Sequence, residues 1–279
     1  MAMRHVESRE GLGQFVDDKD PEKALLASLT VDGAKLWTAR YPDIPLPKAT
    51  AVEMSQITEQ DQELLKQAIL EYSDGELTPE LVTNYWRAKL KVDGKRARLN
   101  LEVPDCNWTE EEIKRPMVDI KGNPIPSMMV YKPEQIKGKE GLILLGKMYP
   151  KMASHSVRKD ARTIDTYEAS GWVKVEATID APNRHTRQKE LEGFAKKQGY
   201  LGQRLSTYIL ASQASKDLSD TESYLDQGNT WSRLLGSRAA GRDAFARFGS
   251  DGDLCVRWGR LPQYHIPDLG ARFEDVRRP

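Results

Sequence analysis

The spacing of apolar residues changes twice along the chain, and this change limits the fold more than any other feature of the sequence. Between about residues 58 and 86, apolar residues recur every three or four positions, as in helices that bury one face. Between about residues 89 and 179 they mostly alternate with polar ones, as in strands, and from about residue 186 the helical spacing returns. Separate blocks of helix and strand predict an α+β architecture, with N-terminal helices, central antiparallel hairpins and a C-terminal helical segment.

Three regions follow from this pattern. Residues 1–48 are predicted to form an N-terminal arm or subdomain, with one helix that begins near Asp20. The three prolines within residues 41–47 force an extended connector, which suits an ordered surface loop or a linker between domains. Residues 49–180 hold helices followed by antiparallel strands, and residues 181–279 form a helical region that carries arginines.

Two N-terminal helices are marked by their ends. The first is predicted from about Thr58 to Tyr72, and Asp74-Gly75 ends it. The second begins at Thr78-Pro79, because threonine caps free N–H groups and proline fits the first turn.

The stretch from Lys89 to Val103 gives the strongest hairpin signal in the chain. Asp93-Gly94 suits a two-residue turn, and apolar residues alternate with basic ones on both sides of it. The predicted hairpin has an apolar face and a basic face, and the basic face carries Lys89, Lys91, Arg96 and Arg98.

Further strands are predicted at Met117–Ile120, Met128–Tyr131 and Trp172–Ile179. Leu142–Leu145 is a short apolar run in the same block of the chain.

Composition excludes several classes of protein. The chain has 42 Lys+Arg and 42 Asp+Glu, and no apolar run approaches the roughly 18 residues of a membrane helix. Its 2 cysteines cannot build a disulfide framework or a cysteine-rich metal site. We therefore expect a cytoplasmic protein, or an intracellular or virion protein if it is viral, with no membrane partner, no metal and no cofactor.

No motif for catalysis is complete. Gly236 and Gly241 have the separation of the glycines in a phosphate loop, but the lysine and hydroxyl that should follow are missing. His155 and His185 suit either an acid–base pair or two surface histidines, and Cys106 has no histidine near it in sequence. We predict no catalytic residue, although these three side chains could still converge in the fold.

Residues 172–214 combine an alternating strand, a short helix closed by Gly199 and a second helix. This order resembles the ribbon-helix-helix family of DNA-binding proteins. In that family, two chains pair their strands into an antiparallel ribbon that enters the major groove. The resemblance implies a DNA contact through the outward residues of the strand, among them Lys174 and Thr178. An ordinary α+β core segment has the same order of elements.

After Lys216 the chain has nine arginines and no lysine. Four of them, spaced five, four and five residues apart, are predicted to share one side of a C-terminal helix, with phenylalanines between them. These are Arg233, Arg238, Arg242 and Arg247. Either they contact nucleic acid, or they form a solvated face in which arginines pair with Asp226 or Asp243.

These patterns favour a non-catalytic nucleic-acid-binding protein that uses the basic hairpin face and the arginine-bearing helix. The alternative is a self-assembling structural protein of the virion coat or nucleoprotein type, since arginine is favoured at interfaces. An enzyme without a recognisable motif is the third option. The expected partners are nucleic acid and further copies of the chain.

Overall fold

A computed structural model of the chain gives the architecture. The residues it describes are 57–152, 157, 162–259 and 267–277. The chain divides into two compact units, Met1–Ser55 and Gln56–Pro279. The predicted arm, its helix and its proline connector therefore lie outside the described residues.

Six α-helices and one short 3-10 helix are found in the described part of the second unit. The α-helices are α1 (Glu59–Asp74), α2 (Pro79–Arg96), α3 (Glu110–Lys114), α4 (Gly138–Met148), α5 (Gln188–Gln198) and α6 (Leu205–Leu218); the 3-10 helix is Pro150–Met152. None of these helices has the length and apolar character needed to cross a membrane.

Eleven strands accompany these helices in the described residues. They are β1 (Met117–Val118), β2 (Pro124–Ile125), β3 (Ser127–Lys132), β4 (Ile164–Asp165), β5 (Gly171–Glu176), β6 (Leu201–Gly202), β7 (Trp231–Ala239), β8 (Arg242–Phe248), β9 (Leu254–Gly259), β10 (Leu269–Ala271) and β11 (Phe273–Val276). They form a two-stranded sheet β1-β2, a four-stranded sheet β3-β5-β11-β6 and a five-stranded sheet β10-β7-β8-β9, in which β4 also pairs with β7. Every pairing is antiparallel except that of β10 with β7. The α+β class is confirmed.

Local chemistry sets the predicted helix ends. The Thr58 hydroxyl accepts the Asp61 N–H, and the Asp61 carboxylate accepts the Thr58 N–H, so a capping box begins α1. Thr78 caps α2, which has Pro79 in its first turn. Gly199 ends α5 in the left-handed conformation at φ 77°. These predictions are confirmed.

Helix α6 lies in the centre of the core, because it is buried nearly all round and packs against β3, β7, α1 and α4. Leu205, Tyr208, Leu210 and Ala211 are each fully buried within it. A smaller apolar cluster joins α5 to β11, with Phe194 on Phe273. The C-terminal region thus contains helices α5 and α6, and after them strands.

The hairpin predicted between Lys89 and Val103 is wrong. Residues 89–96 form the last two turns of α2, and the residues after them are irregular. Gly94 is helical, and a Cβ at this position would lie 2.8 Å from the Leu99 carbonyl oxygen. A glycine is therefore needed at position 94 because the segment around Leu99 passes close to the helix. Asp93-Gly94 is part of the helix and forms no turn.

The arginine-bearing C-terminal helix is also wrong. Its four arginines lie on the antiparallel strands β7 and β8. The strands are joined by Ala240 and Gly241, both at positive φ (49° and 70°), as in the tight turns that match the twist of a hairpin.

Other predicted elements have mixed outcomes. Strands β1, β3 and β5 overlap the predicted strands at Met117–Ile120, Met128–Tyr131 and Trp172–Ile179. The apolar run Leu142–Leu145 is helical and lies in α4. The order strand, helix, helix is present as β5, α5 and α6.

Candidate nucleic-acid interface

The two faces of the β7-β8-β9 sheet have different chemistry. Side chains alternate between the faces along each strand, and residues opposite each other on paired strands share a face. Leu234, Ala244 and Phe248 point into the core, where each is fully buried. The opposite face carries arginines and aromatic rings, namely Trp231, Arg233, Phe245, Arg247 and Arg257.

Two arginines on this opposite face lie over one tryptophan ring. The guanidinium carbons of Arg247 and Arg257 are 4.6 Å and 5.0 Å from the centroid of Trp231. Such cation–π contacts hold the long side chains in place. Sequence reasoning missed Arg257, although the alternation of β9 around it was the available signal.

Arg233 has a different role on the same face. It is 2% exposed, and its guanidinium carbon lies 5.7 Å from the Phe245 ring centroid. Burial lowers its pKa, and Asp243 and Glu192 partly offset this effect. Arg233 is therefore part of the protein interior.

The end of the β7-β8 hairpin holds the other two arginines of the predicted stripe. Arg238 pairs with Asp243, with Nε 3.2 Å from Oδ1. This is one of the two pairings that the sequence left open; the other proposed acid, Asp226, binds Arg272 instead. Arg242 is exposed and has no ion pair with any described residue.

An open cleft of about 610 Å³ lies beside this hairpin end. The described residues that line it are Arg162, Ala239, Ala240, Arg242 and Trp258. Trp258 is half-buried, and its indole Nε1–H donates to Thr163 Oγ1 at 2.8 Å, which fixes the edge of the ring. Arg162 is exposed and, like Arg242, makes no ion pair within the described part of the chain. Among the described lining residues, two arginines carry positive charge and stand beside an aromatic ring.

The first residue of the predicted basic hairpin face, Lys89, is buried. Its Nζ lies 2.6 Å from Asp217 and 3.2 Å from Asp93, and Tyr149 donates to the same Asp93 oxygen at 2.7 Å. Burial alone would lower the pKa of Lys89, but the two carboxylates outweigh it and raise the pKa. Lys89 is therefore neutralised inside the protein and cannot contact a partner.

The remaining three residues of that face lie at the end of α2 and just after it. Lys91 Nζ is 3.3 Å from Asp61, and Arg96 is 2.6 Å from Asp93. Both side chains are about half-exposed, at 52% and 43%. Arg98 is exposed and sits at φ 59°, where the chain leaves the helix. The structure thus places these residues at one helix end, where the first two are paired to acids.

The two residues that the ribbon-helix-helix resemblance implies for DNA contact instead make hydrogen bonds within the protein. Lys174 is 2% exposed and donates to the carbonyl oxygens of Glu112, at 2.5 Å, and Arg115, which end α3. Burial lowers the pKa of Lys174 to about 8. Thr178 Oγ1 accepts from Arg272 at 3.4 Å.

Strand β5, which carries Lys174, has no free edge. It pairs with β3 on one side and with β11 on the other. A ribbon formed with a second chain, as the resemblance implies, would require β5 to leave this sheet.

The residues considered for catalysis do not assemble in the described part of the chain. Cys106 is buried, which raises the pKa of its thiol and disfavours the thiolate. His185 is exposed, and His155 lies outside the described residues. No group of three or more potential metal ligands occurs among the residues described.

A network of buried charges around α6 escaped sequence reasoning. Arg272 and Asp226 are both fully buried, with a guanidinium nitrogen 2.9 Å from the carboxylate. Arg204 and Glu274 form a second fully buried pair at 2.6 Å. Ser232 donates to a carboxylate oxygen of Asp226 at 2.6 Å, and Arg272 donates to the carbonyl oxygen of Thr178 at 2.8 Å, in the segment between β5 and α5. The partners of each pair are distant in sequence, so no local sequence pattern predicts the pairs.

No protein-family model matches this chain, and neither does any curated protein or any solved structure.

Proposed function

We propose that this chain binds nucleic acid through the arginine-bearing end of the β7-β8-β9 sheet. The observation that carries the proposal is the cleft at which Arg162 and Arg242 stand exposed, without an acidic partner among the described residues. Guanidinium groups bind phosphate oxygens bidentately, so two of them at one cleft suit a phosphodiester backbone.

The distribution of charge supports the same proposal. Net charge is zero for the whole chain, so attraction to a polyanion must come from local excess. Many basic side chains are neutralised internally, as Lys89 and Arg272 are. Arg162, Arg242 and the exposed Arg257 are not paired to an acid in the described structure, and the first two line the same cleft.

The proposal is tested by the salt dependence of binding. Fluorescence anisotropy of labelled DNA and RNA oligonucleotides should show binding at about 50 mM salt that weakens steeply by about 200 mM, because phosphate contacts release counterions. If neither DNA nor RNA binds at the lower salt concentration, the proposal is wrong.

Two arginines at the same hairpin end provide a matched pair of variants. Arg242→Ala removes an arginine without an acidic partner, and Arg238→Ala removes one that is paired to Asp243. Both lower the net charge equally. We expect Arg242→Ala to weaken binding about tenfold and Arg238→Ala about twofold or less, since only the first removes a guanidinium that binds phosphate directly. Equal reductions in affinity would show that overall charge, and not this cleft, governs binding.

A further inference from the structure

Trp258 gives the cleft a second chemical property besides positive charge. The ring is half-buried, and its Nε1–H is already bonded to Thr163 Oγ1 at 2.8 Å. An indole held in this way presents a fixed aromatic surface, and little side-chain freedom is lost when a flat ligand stacks on it.

The rest of the lining leaves room next to the ring. Ala239 and Ala240 carry only methyl side chains, and the tight turn at Ala240-Gly241 keeps the hairpin end narrow. The cleft is open and has a volume of about 610 Å³. A single nucleobase is a flat ligand for which this volume leaves room beside the ring.

We propose that the cleft binds an unpaired base of a single-stranded nucleic acid, which stacks on Trp258 while Arg162 and Arg242 bind the adjoining phosphates. This inference rests on the proposed function and names its substrate class. Basic residues that track the backbone, together with an aromatic ring that stacks on bases, are the two features that single-strand binding requires.

Duplex fits the same cleft poorly. In a double helix both faces of each base are covered by neighbouring bases, so a protein ring can reach a base face only after the base is extruded. A free nucleotide has the right ring, but it offers the two arginines a single phosphate group. A strand offers phosphates on both sides of the base, so it should bind more tightly.

The experiment compares three probes on the full chain at about 50 mM salt. They are a labelled thymidine oligonucleotide of about 20 nucleotides, a blunt DNA duplex of similar length, and thymidine monophosphate as a competitor. We expect the single strand to bind at least about tenfold more tightly than the duplex, and the monophosphate to compete only at about 100-fold higher concentration or more.

Variants of the ring test its role directly. Trp258→Ala should weaken binding of the single strand about tenfold, Trp258→Phe should weaken it less, and duplex binding should not change in either variant. Ultraviolet cross-linking of the unmodified protein to an oligonucleotide that contains 5-iodouracil, followed by peptide mapping, should mark Trp258. This second measurement does not depend on the folding of a variant.

The outcomes separate the two proposals. If no probe binds, the proposed function fails. If duplex and single strand bind equally, or if the monophosphate matches the oligonucleotide, the single-strand inference fails even where Arg242→Ala still weakens binding. A cross-link that maps away from Trp258 also overturns the inference.

Discussion

Arg272 and Arg242 both belong to the lysine-free end of the chain, yet their surroundings are opposite. Arg272 is fully buried, and its guanidinium is bonded to Asp226 and to carbonyl oxygens of the β5–α5 connection. Arg242 is exposed at the hairpin end and has no acidic partner in the described structure. The same residue type therefore stabilises the fold in one place and remains available to a ligand in the other.

This contrast shows why the number of basic residues does not locate a polyanion site. Of the residues predicted from sequence to bind nucleic acid, Lys89, Lys174 and Arg233 are each about 2% exposed. A buried charge is tolerated only when partners compensate its lost hydration, and Lys89 and Lys174 donate to oxygen atoms inside the protein. Positive charge is available only where an exposed cation lacks an acid, as at the cleft.

The largest effect is expected in the buried network. Asp226→Ala leaves the Arg272 guanidinium buried without its carboxylate and should lower the free energy of unfolding by about 3–5 kcal/mol, measured by urea denaturation. Glu63→Ala is the control, because its pair with Lys66 spans 3.6 Å between side chains that are 75% and 69% exposed, and it should change stability by less than about 0.5 kcal/mol. Similar destabilisation in both variants would contradict the contrast between buried and exposed charges.

A smaller effect should appear in the pH dependence of stability. Burial raises the pKa of Glu176 from 4.5 to about 8, although Arg272 and the Phe273 N–H oppose the shift. Between these two pH values the folded protein holds a proton that the unfolded chain has released. Stability should therefore fall as pH rises, by at most about 1.4 kcal/mol per unit, and level off above about pH 8.

Glu176→Gln tests this assignment, because it removes the titrating group while keeping the shape of the side chain. Its urea-unfolding free energy should vary less between pH 5 and 8 than that of the unchanged protein. Parallel curves would mean that another group carries the dependence.

The smallest effect is expected where an exposed lysine is already paired. Lys91 lies 3.3 Å from Asp61, an acid whose low pKa is set by hydrogen bonds from Lys95 and Thr58. Lys91→Ala should change the affinity for an oligonucleotide by less than about twofold in an anisotropy titration. A tenfold weaker affinity would place the binding surface at the end of α2 after all.

Sequence was sufficient where local chemistry determines structure. Helix caps act within a few residues, and the sequence predicted the helix ends at Thr58, Thr78 and Gly199. The failure at Asp93-Gly94 was also local, because a turn signal competed with the Lys89–Asp93 pair at helical spacing. Lys89 also donates a hydrogen bond to Asp217, which lies over one hundred residues away in sequence, and this contact favours the helix.

Only part of the candidate site was predicted from the sequence. Arg242 was identified as a basic residue, but on the wrong element, since the spacing of the four arginines suggested a helix. Arg162 and Trp258 lie almost one hundred residues apart and meet only through the pairing of β4, β7, β8 and β9. No periodicity in the sequence predicts that these two residues lie close together in the fold.

The central claim is that arginines without an acidic partner, and not arginines in general, bind the polyanion. It is tested most directly by the salt dependence of single-strand binding in two double variants of equal charge. Arg162→Ala with Arg242→Ala removes the cleft arginines, whereas Arg87→Ala with Arg238→Ala removes two arginines that are paired to Asp105 and Asp243. We expect the slope of log affinity against log salt to become shallower by about 0.7 for each phosphate that the first variant no longer binds, and to stay unchanged in the second. Equal slopes in the two variants would contradict the claim.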